Sequence, residues 1–200
     1  TLIVCTCWIT VWVWKDRDAR EMKYCYIYSR VASGELYRLL TAGFLHKNIK
    51  HLKSNMSTLL FCGTFLCYST KISNIKFCLF YLSAIIFSSY FAHQHYYSNR
   101  ITDISGIGAS GAVFAVEFAS ILLGIPPTNR KDINGIRLIM IIIFCAEYIY
   151  AYDSLSTLQK DNIAHEVHFA GALYGIAFAL FFYRKHIFGG ILANNSARQK

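Results

Sequence analysis

Apolar residues are gathered into long blocks along this chain of 200 residues, and polar residues mark where one block gives way to the next. Six blocks predict helices, at about 1–14, 49–68, 76–93, 106–125, 136–152 and 163–183. Those after the first come close to the roughly 20 residues that an α-helix needs to cross a bilayer. The pattern therefore predicts an all-α, polytopic membrane protein. Its six transmembrane helices, the first of them truncated, are expected to form a single domain over residues 1–200.

The composition also indicates a membrane protein. Hydrophobic residues make up 55% of the chain and charged residues 16%, against about a quarter in ordinary soluble domains. The seven cysteines lie mostly within apolar blocks and form no CxxC pair, so we expect small buried side chains rather than a metal site. A net charge of +9 would suggest nucleic acid as the partner of a soluble protein. Here its distribution indicates membrane topology, and we expect no nucleic-acid partner.

Lysine and arginine are distributed unevenly between the predicted helices. Segments with two or more of them are 69–76, 126–137 and the tail after 183. The connections at 94–105 and 153–162 carry one each. By the positive-inside rule the richer segments face the cytoplasm or its equivalent, and the poorer ones face the outer side. The long connection at 15–48 then lies on the outer side, and its mixture of aromatic and charged residues predicts a segment in the membrane interface.

A few polar residues interrupt the apolar blocks, and each is costly in a bilayer core. His51 and Asn55 lie one turn apart on one face of the second predicted helix. Ser110 begins the fourth helix, and His168 lies near the start of the sixth. An interhelical hydrogen bond is the ordinary reason for any one such residue. The predicted topology brings Ser110, His51 and His168 to one level near the outer side, which favours a shared site.

These residue types are the ones that nucleophilic catalysis requires. An imidazole beside Ser110 can take the hydroxyl proton as Oγ attacks a carbonyl carbon. The oxyanion that forms needs hydrogen-bond donors. Candidates are the backbone N–H of Ser110 at a helix N-terminus, the Asn55 amide and the His51 imidazole.

Glycines accompany these groups. Gly108 and Gly111 flank the serine, where they allow a close approach of the backbone. Gly171 and Gly175 give the sixth helix a matching groove of small residues. We expect the two pairs to pack together and so to bring the histidine of the sixth helix to the serine.

Short motifs occur in a fixed order along the chain. They are "HLKSN" at 51–55, "GASG" at 108–111 and "HFAGALYG" at 168–175, preceded by "ELYRLLT" at 35–41 and "FLH" at 44–46. The first three resemble the His-x-x-x-Asn, Gly-x-Ser-Gly and His-x-x-Gly-x-x-x-Gly motifs of the rhomboid intramembrane serine proteases. Glu35 and Arg38 resemble the Glu-x-Trp-Arg motif of that family's first loop, with Tyr37 in place of the tryptophan. The resemblance covers almost the whole chain and implies a six-transmembrane-helix rhomboid bundle.

The resemblance implies a Ser–His dyad without a catalytic acid. Ser110 would be the nucleophile and His168 the general base, with His51, Asn55 and the Ser110 backbone as the oxyanion hole. It implies an intramembrane serine endopeptidase that needs no cofactor and no metal. Its substrates would be single-pass transmembrane proteins, which enter from the lipid bilayer between the second and fifth helices. We expect a membrane of the secretory pathway or the plasma membrane, with the mitochondrial inner membrane as the alternative.

Some positions depart from the family pattern. His165 lies one turn before His168 and is a rival base, and Glu166 stands where a small or apolar residue is expected. Glu117 and Glu147 lie inside predicted helices, and the sequence assigns them no role.

Other classes of protein fit less well. The histidines of "HEVH" at 165–168 are one position too close for the His-Glu-x-x-His zinc motif. The Gly-x-Ser-x-Gly elbow of soluble hydrolases fails because Gly111 follows Ser110 directly. A transporter would show two matching halves with broken helices. The remaining alternative is a catalytically inactive rhomboid-like protein that binds membrane clients, although such a protein would lack the serine or the histidine.

Overall fold

Helices make up nearly all of the regular structure. The computed structural model describes residues 1–123, 142 and 164–197, with the backbone alone for 185–197. In chain order its elements are α1 (Leu2–Trp14), α2 (Arg17–Tyr24), β1 (Tyr26–Ile27), α3 (Tyr28–Ala32), α4 (Arg38–Thr41), a 3-10 turn (Ala42–Phe44), α5 (Ile49–Thr70), α6 (Asn74–Ser98), β2 (Ser105–Gly106), α7 (Ser110–Leu123) and α8 (His165–Ala197). The predicted helix at 136–152 lies outside the described residues, so the count of six stays a prediction.

Two of these helices are long and apolar enough to cross a membrane, namely α6 and residues His165–Arg184 of α8. Helices α1 and α7 are apolar but shorter. Large apolar side chains stand on the outside of the bundle, with Phe61 76% and Phe181 77% exposed. Contiguous exposed apolar surface is rare on soluble proteins and is the ordinary surface of a helix that faces lipid.

Helix boundaries differ from the predicted apolar blocks. The fourth block starts at 106, but its helix begins at Ser110, as expected for the serine, because Gly106 pairs in a strand and Gly108 has a φ of +143°. Helix α6 exceeds the predicted 76–93 at both ends. Helix α8 runs past 183, and its helical geometry breaks at Tyr183 (φ −128°, ψ 21°).

Local chemistry explains where α5 and α6 begin. The Asn48 side chain accepts a hydrogen bond from the backbone N–H of His51, 2.9 Å away. The Ser73 hydroxyl does the same for Lys76 at the start of α6. Both are favoured N-cap residues because their side chains replace a missing helical acceptor. Lys71 ends α5 in the left-handed conformation (φ 54°), so a short turn returns the chain into α6.

Helix α7 lies at the centre of the bundle, where Ala115, Val116 and Ala119 have no accessible surface. Helix α8 packs directly against it. A Cβ atom on Gly171 would overlap the backbone carbonyl of Gly111, and one on Gly175 would overlap that of Ala115. The two helices therefore touch backbone to backbone, as small-residue interfaces in membranes allow.

The long first connection, 15–48, folds into short helices and fastens to the segment before α7. Tyr26 of β1 pairs with Gly106 of β2 in an antiparallel bridge. Further along, the N–H of Gly108 donates to the carbonyl of Ala42 at 3.0 Å. The turn that leads into Ser110 is thus held from the first loop.

Candidate active site

Ser110 is the first residue of α7 and is half-buried. Its position leaves the first N–H groups of the helix without intrahelical acceptors, at the positive end of the helix dipole. The preceding Gly108 holds a backbone conformation that residues with a side chain rarely adopt. A side chain at that position would also fill the space in front of the serine.

His168 lies over the first turns of α7. Its imidazole stacks on the ring of Phe114, with centroids 4.5 Å apart and planes 8° from parallel. Phe114 is one turn after Ser110 and on the same face of α7, so the imidazole lies on the side of the helix that carries the hydroxyl. His165 is buried and stands edge-on to His168 at 6.1 Å between centroids.

His51 approaches the serine from α5. A Cβ built on Gly108 would lie 3.1 Å from His51 Nε2 and 3.8 Å from Ser110 Oγ. The imidazole and the hydroxyl therefore converge on the space that the glycine leaves open. A group bound in that space would touch both.

Asn55 lies one turn further along α5 and is 7% exposed. Its Nδ2 is buried and makes no hydrogen bond within the part of the chain that the structure describes. A buried donor without a partner costs about 1–3 kcal/mol. Such a donor is suited to a ligand oxygen that arrives during a reaction.

His46 stands behind His51, with ring centroids 5.0 Å apart in an edge-to-face arrangement. Thr10 Oγ1 lies 3.2 Å from its Nδ1, and Trp14 Nε1 donates to its backbone carbonyl at 2.8 Å. Burial, and then the neighbouring His51, lower the pKa of His46 to about 4. The His46 ring is therefore neutral at physiological pH and places no charge next to His51.

The first-loop motif forms a buried anchor. Arg38 Nε donates to Glu35 at 2.7 Å, and Arg38 Nη1 donates to the carbonyls of Met22 and Cys25 at 2.9 and 2.8 Å. Hydrogen bonds from Arg38 and then from Tyr37 lower the pKa of Glu35. Tyr37, where the family has tryptophan, uses its hydroxyl to bind Glu35 at 3.0 Å. The tyrosine hydroxyl thus adds a hydrogen bond to the motif.

Glu166 makes a hydrogen bond to α6. Its carboxylate accepts a hydrogen bond from the hydroxyl of Tyr96 near the end of α6. Deeper in α7, the backbone carbonyl of Glu117 accepts from Ser120 Oγ at 2.7 Å. Glu147 lies outside the described residues.

Sequence reasoning missed the residues that support the site. Thr10 lies beside His46, which packs on His51. Tyr96 donates to Glu166, two residues before His168. Thr10 left a signal, because it is a polar residue in an otherwise apolar block. Tyr96 left none, since tyrosine near a helix end is common at any membrane interface.

The site can now be compared with known proteins. A family model described as the rhomboid domain matches residues 33–185. This range contains the first-loop motif, His51, Ser110 and His168. No curated protein matches the chain. A match over more than half of the sequence, in a helical chain with apolar helices that suit a membrane, shows the family: this chain belongs to the rhomboid family.

Proposed function

We propose that the protein is an intramembrane serine endopeptidase. The observation that carries the proposal is the convergence of Ser110 and His51 on Gly108, with the His168 imidazole stacked one turn away on Phe114. A hydroxyl, an imidazole positioned on its helix face and a second imidazole are the groups that acyl transfer needs. Rhomboid-family membership supports the same chemistry.

In the first step, Ser110 Oγ attacks the carbonyl carbon of the scissile peptide bond. His168 accepts the hydroxyl proton and then delivers it to the leaving amine. The oxyanion takes hydrogen bonds from the Ser110 N–H, from Asn55 Nδ2 and from the His51 ring. A water molecule, activated by the same His168, then releases the acyl group from the serine.

The proposed substrate class is supported by the apolar helices of the bundle, whose exposed large side chains suit lipid. We expect a single-pass transmembrane protein that enters from the bilayer between the second and fifth predicted helices. A helix shields its own carbonyls by hydrogen bonding, so the segment to be cut unwinds before attack. Residues that weaken a helix, glycine above all, are favoured near the cleaved bond. We expect it in the secretory pathway or the plasma membrane, with the mitochondrial inner membrane as the alternative.

The test is cleavage of a single-pass reporter in liposomes that contain the purified chain. We expect cleavage by the wild type and by Ser105→Ala, which alters an exposed serine close to the site. We expect none by Ser110→Ala, and at least a 10³-fold loss in His168→Ala because the base is removed. Cleavage that survives Ser110→Ala refutes the serine mechanism.

Two further measurements separate the protease from an inactive relative and His168 from His165 as the base. A fluorophosphonate probe should label Ser110 in the wild type and not in Ser110→Ala. A folded wild type that neither cleaves nor reacts favours the inactive, client-binding relative. If His165→Ala abolishes cleavage while His168→Ala does not, His165 is the base.

A further inference from the structure

The start of α8 carries one acidic side chain that the proposed reaction does not use. Glu166 is half-buried, and its carboxylate accepts the hydrogen bond of Tyr96. Tyr96 is 6% exposed and belongs to a cluster of buried side chains beneath the first loop. The contact therefore joins α8 to α6 close to the site.

Glu166 and His168 point in nearly opposite directions. Successive residues of an α-helix are about 100° apart around the axis, so two positions separate these side chains by about 200°. Glu166 contacts α6, while His168 stacks on Phe114 of α7. Two contacts on opposite sides of one turn fix the rotation of that turn about its axis.

This turn needs such support because its own cap is weak. Ala164 precedes the helix and has no side-chain acceptor to offer. Its carbonyl receives the N–H groups of both Val167 and His168, at 3.0 and 3.2 Å. Tertiary contacts therefore add to what holds the turn in place.

Tyr96 is itself held. Its ring packs on Tyr26 at 6.1 Å between centroids, and the Tyr26 hydroxyl lies 2.9 Å from His93 Nδ1. Tyr26 belongs to β1, which pairs with the strand before α7. The Tyr96 hydroxyl, which donates a hydrogen bond to Glu166, is therefore fixed relative to the segment that leads to Ser110.

We propose that Glu166 is a positioning residue for His168: its hydrogen bond with Tyr96 sets the rotation of the first turn of α8 and so keeps the imidazole on Phe114, on the serine's side of α7. The inference rests on the proposed function, because it assigns Glu166 a part in the same reaction. In this proposal Glu166 acts through the position of His168 and not through a contact with the substrate. Its removal should therefore lower kcat and leave KM unchanged.

The variants are Glu166→Ala, Glu166→Gln and Tyr96→Phe, with Tyr97→Phe as the matched control. Tyr97 is the next residue and is 68% exposed. We expect Glu166→Ala and Tyr96→Phe each to lower kcat and the rate of fluorophosphonate labelling by roughly ten- to a hundredfold, because small displacements of a catalytic group cost that much. Glu166→Gln keeps an acceptor oxygen and should restore most of the rate. Combining Glu166→Ala with Tyr96→Phe should add little, since both remove the same contact.

A second readout does not depend on activity. The stacked Phe114 ring shifts the NMR signal of the His168 Cε1–H, and Phe114→Leu gives the unstacked value. In Glu166→Ala and Tyr96→Phe this signal should move towards the unstacked value, and in Glu166→Gln and Tyr97→Phe it should stay. The proposal is overturned if the signal of folded Glu166→Ala and Tyr96→Phe stays at the wild-type position, or if Tyr97→Phe moves it as far. If wild-type protein shows the stacked signal without any cleavage, the proposed function fails while the positioning contact is still tested.

Discussion

The packing of α8 on α7 predicts that one methyl group at Gly171 disables the site. A Cβ there would lie 2.8 Å from the carbonyl carbon of Gly111, whereas carbon atoms in contact are about 3.5–4.0 Å apart. The helices must therefore separate by about 1 Å at this level. Gly111 follows Ser110 directly, and Gly171 lies one turn after His168, so the separation falls between the proposed nucleophile and the proposed base.

A shift of about 1 Å in a catalytic group lowers the rate by about 10²-fold. We expect Gly171→Ala to lower two rates by this factor: the labelling of Ser110 by a fluorophosphonate and the cleavage of the reporter. The fold should survive, because alanine favours a helix over glycine by about 0.5–1 kcal/mol, which offsets part of the roughly 1–3 kcal/mol cost of overpacking. Thermal unfolding in detergent checks this.

The matched control is Gly106→Ala, which makes the same chemical change in the strand before α7. A Cβ at Gly106 would meet nothing within 4 Å, so we expect wild-type rates. If folded Gly171→Ala labels as fast as Gly106→Ala, close helix contact is not what sets the position of the base.

Three further predictions concern the surroundings of the serine. Asn55→Ala should lower kcat by about 10²–10³-fold, the usual cost of one oxyanion donor. Thermal stability should fall little, since the buried Asn55 Nδ2 has no hydrogen-bond partner among the described residues. A loss of unfolding free energy as large as the loss of transition-state stabilisation would contradict the assignment. His46 has a folded pKa of about 4, below the unfolded value of about 6.5. The unfolded chain therefore binds the extra proton, and stability should fall by up to roughly 3 kcal/mol as the pH drops from about 6.5 towards 4; melting temperatures of His46→Gln should show a flatter profile in that window. Arg38→Lys cannot reproduce the forked contacts of the buried guanidinium and should cost about 1–3 kcal/mol of unfolding free energy, whereas Arg17→Lys, at an exposed pair, should cost at most about 0.5 kcal/mol.

The helical class and the family were predictable because their signals are local. Apolar blocks of this length predict helices directly, two of those described are long and apolar enough to cross a membrane, and the motifs around Ser110 and His168 are short. Family membership is confirmed by the match over residues 33–185. The roles of Ser110, His168, His51 and Asn55 stay predictions until the variants are measured.

What the sequence could not show are contacts between residues far apart in the chain. A helix that starts at Ser110 was predicted and is confirmed. The apolar pattern ran back to residue 106, however, and gave no sign of the strand at 105–106, because glycine and isoleucine suit an apolar block as well as a turn. The strand pairing that shapes 105–106 depends on Tyr26 and Ile27. In the same way, the partner of Glu166 lies on another helix, and no spacing rule connects it to Tyr96.

The pairing of Tyr26 with Gly106 also bears on the order in which the protein matures. Contacts between distant residues form late, since the intervening chain must first be ordered. The turn before Ser110 takes its shape from that pairing and from the hydrogen bond between Gly108 and Ala42. We therefore expect a partly inserted chain to carry an unreactive serine. Reactivity would arise only after the first loop has docked, so a fluorophosphonate should label the complete fold and not the partly inserted chain.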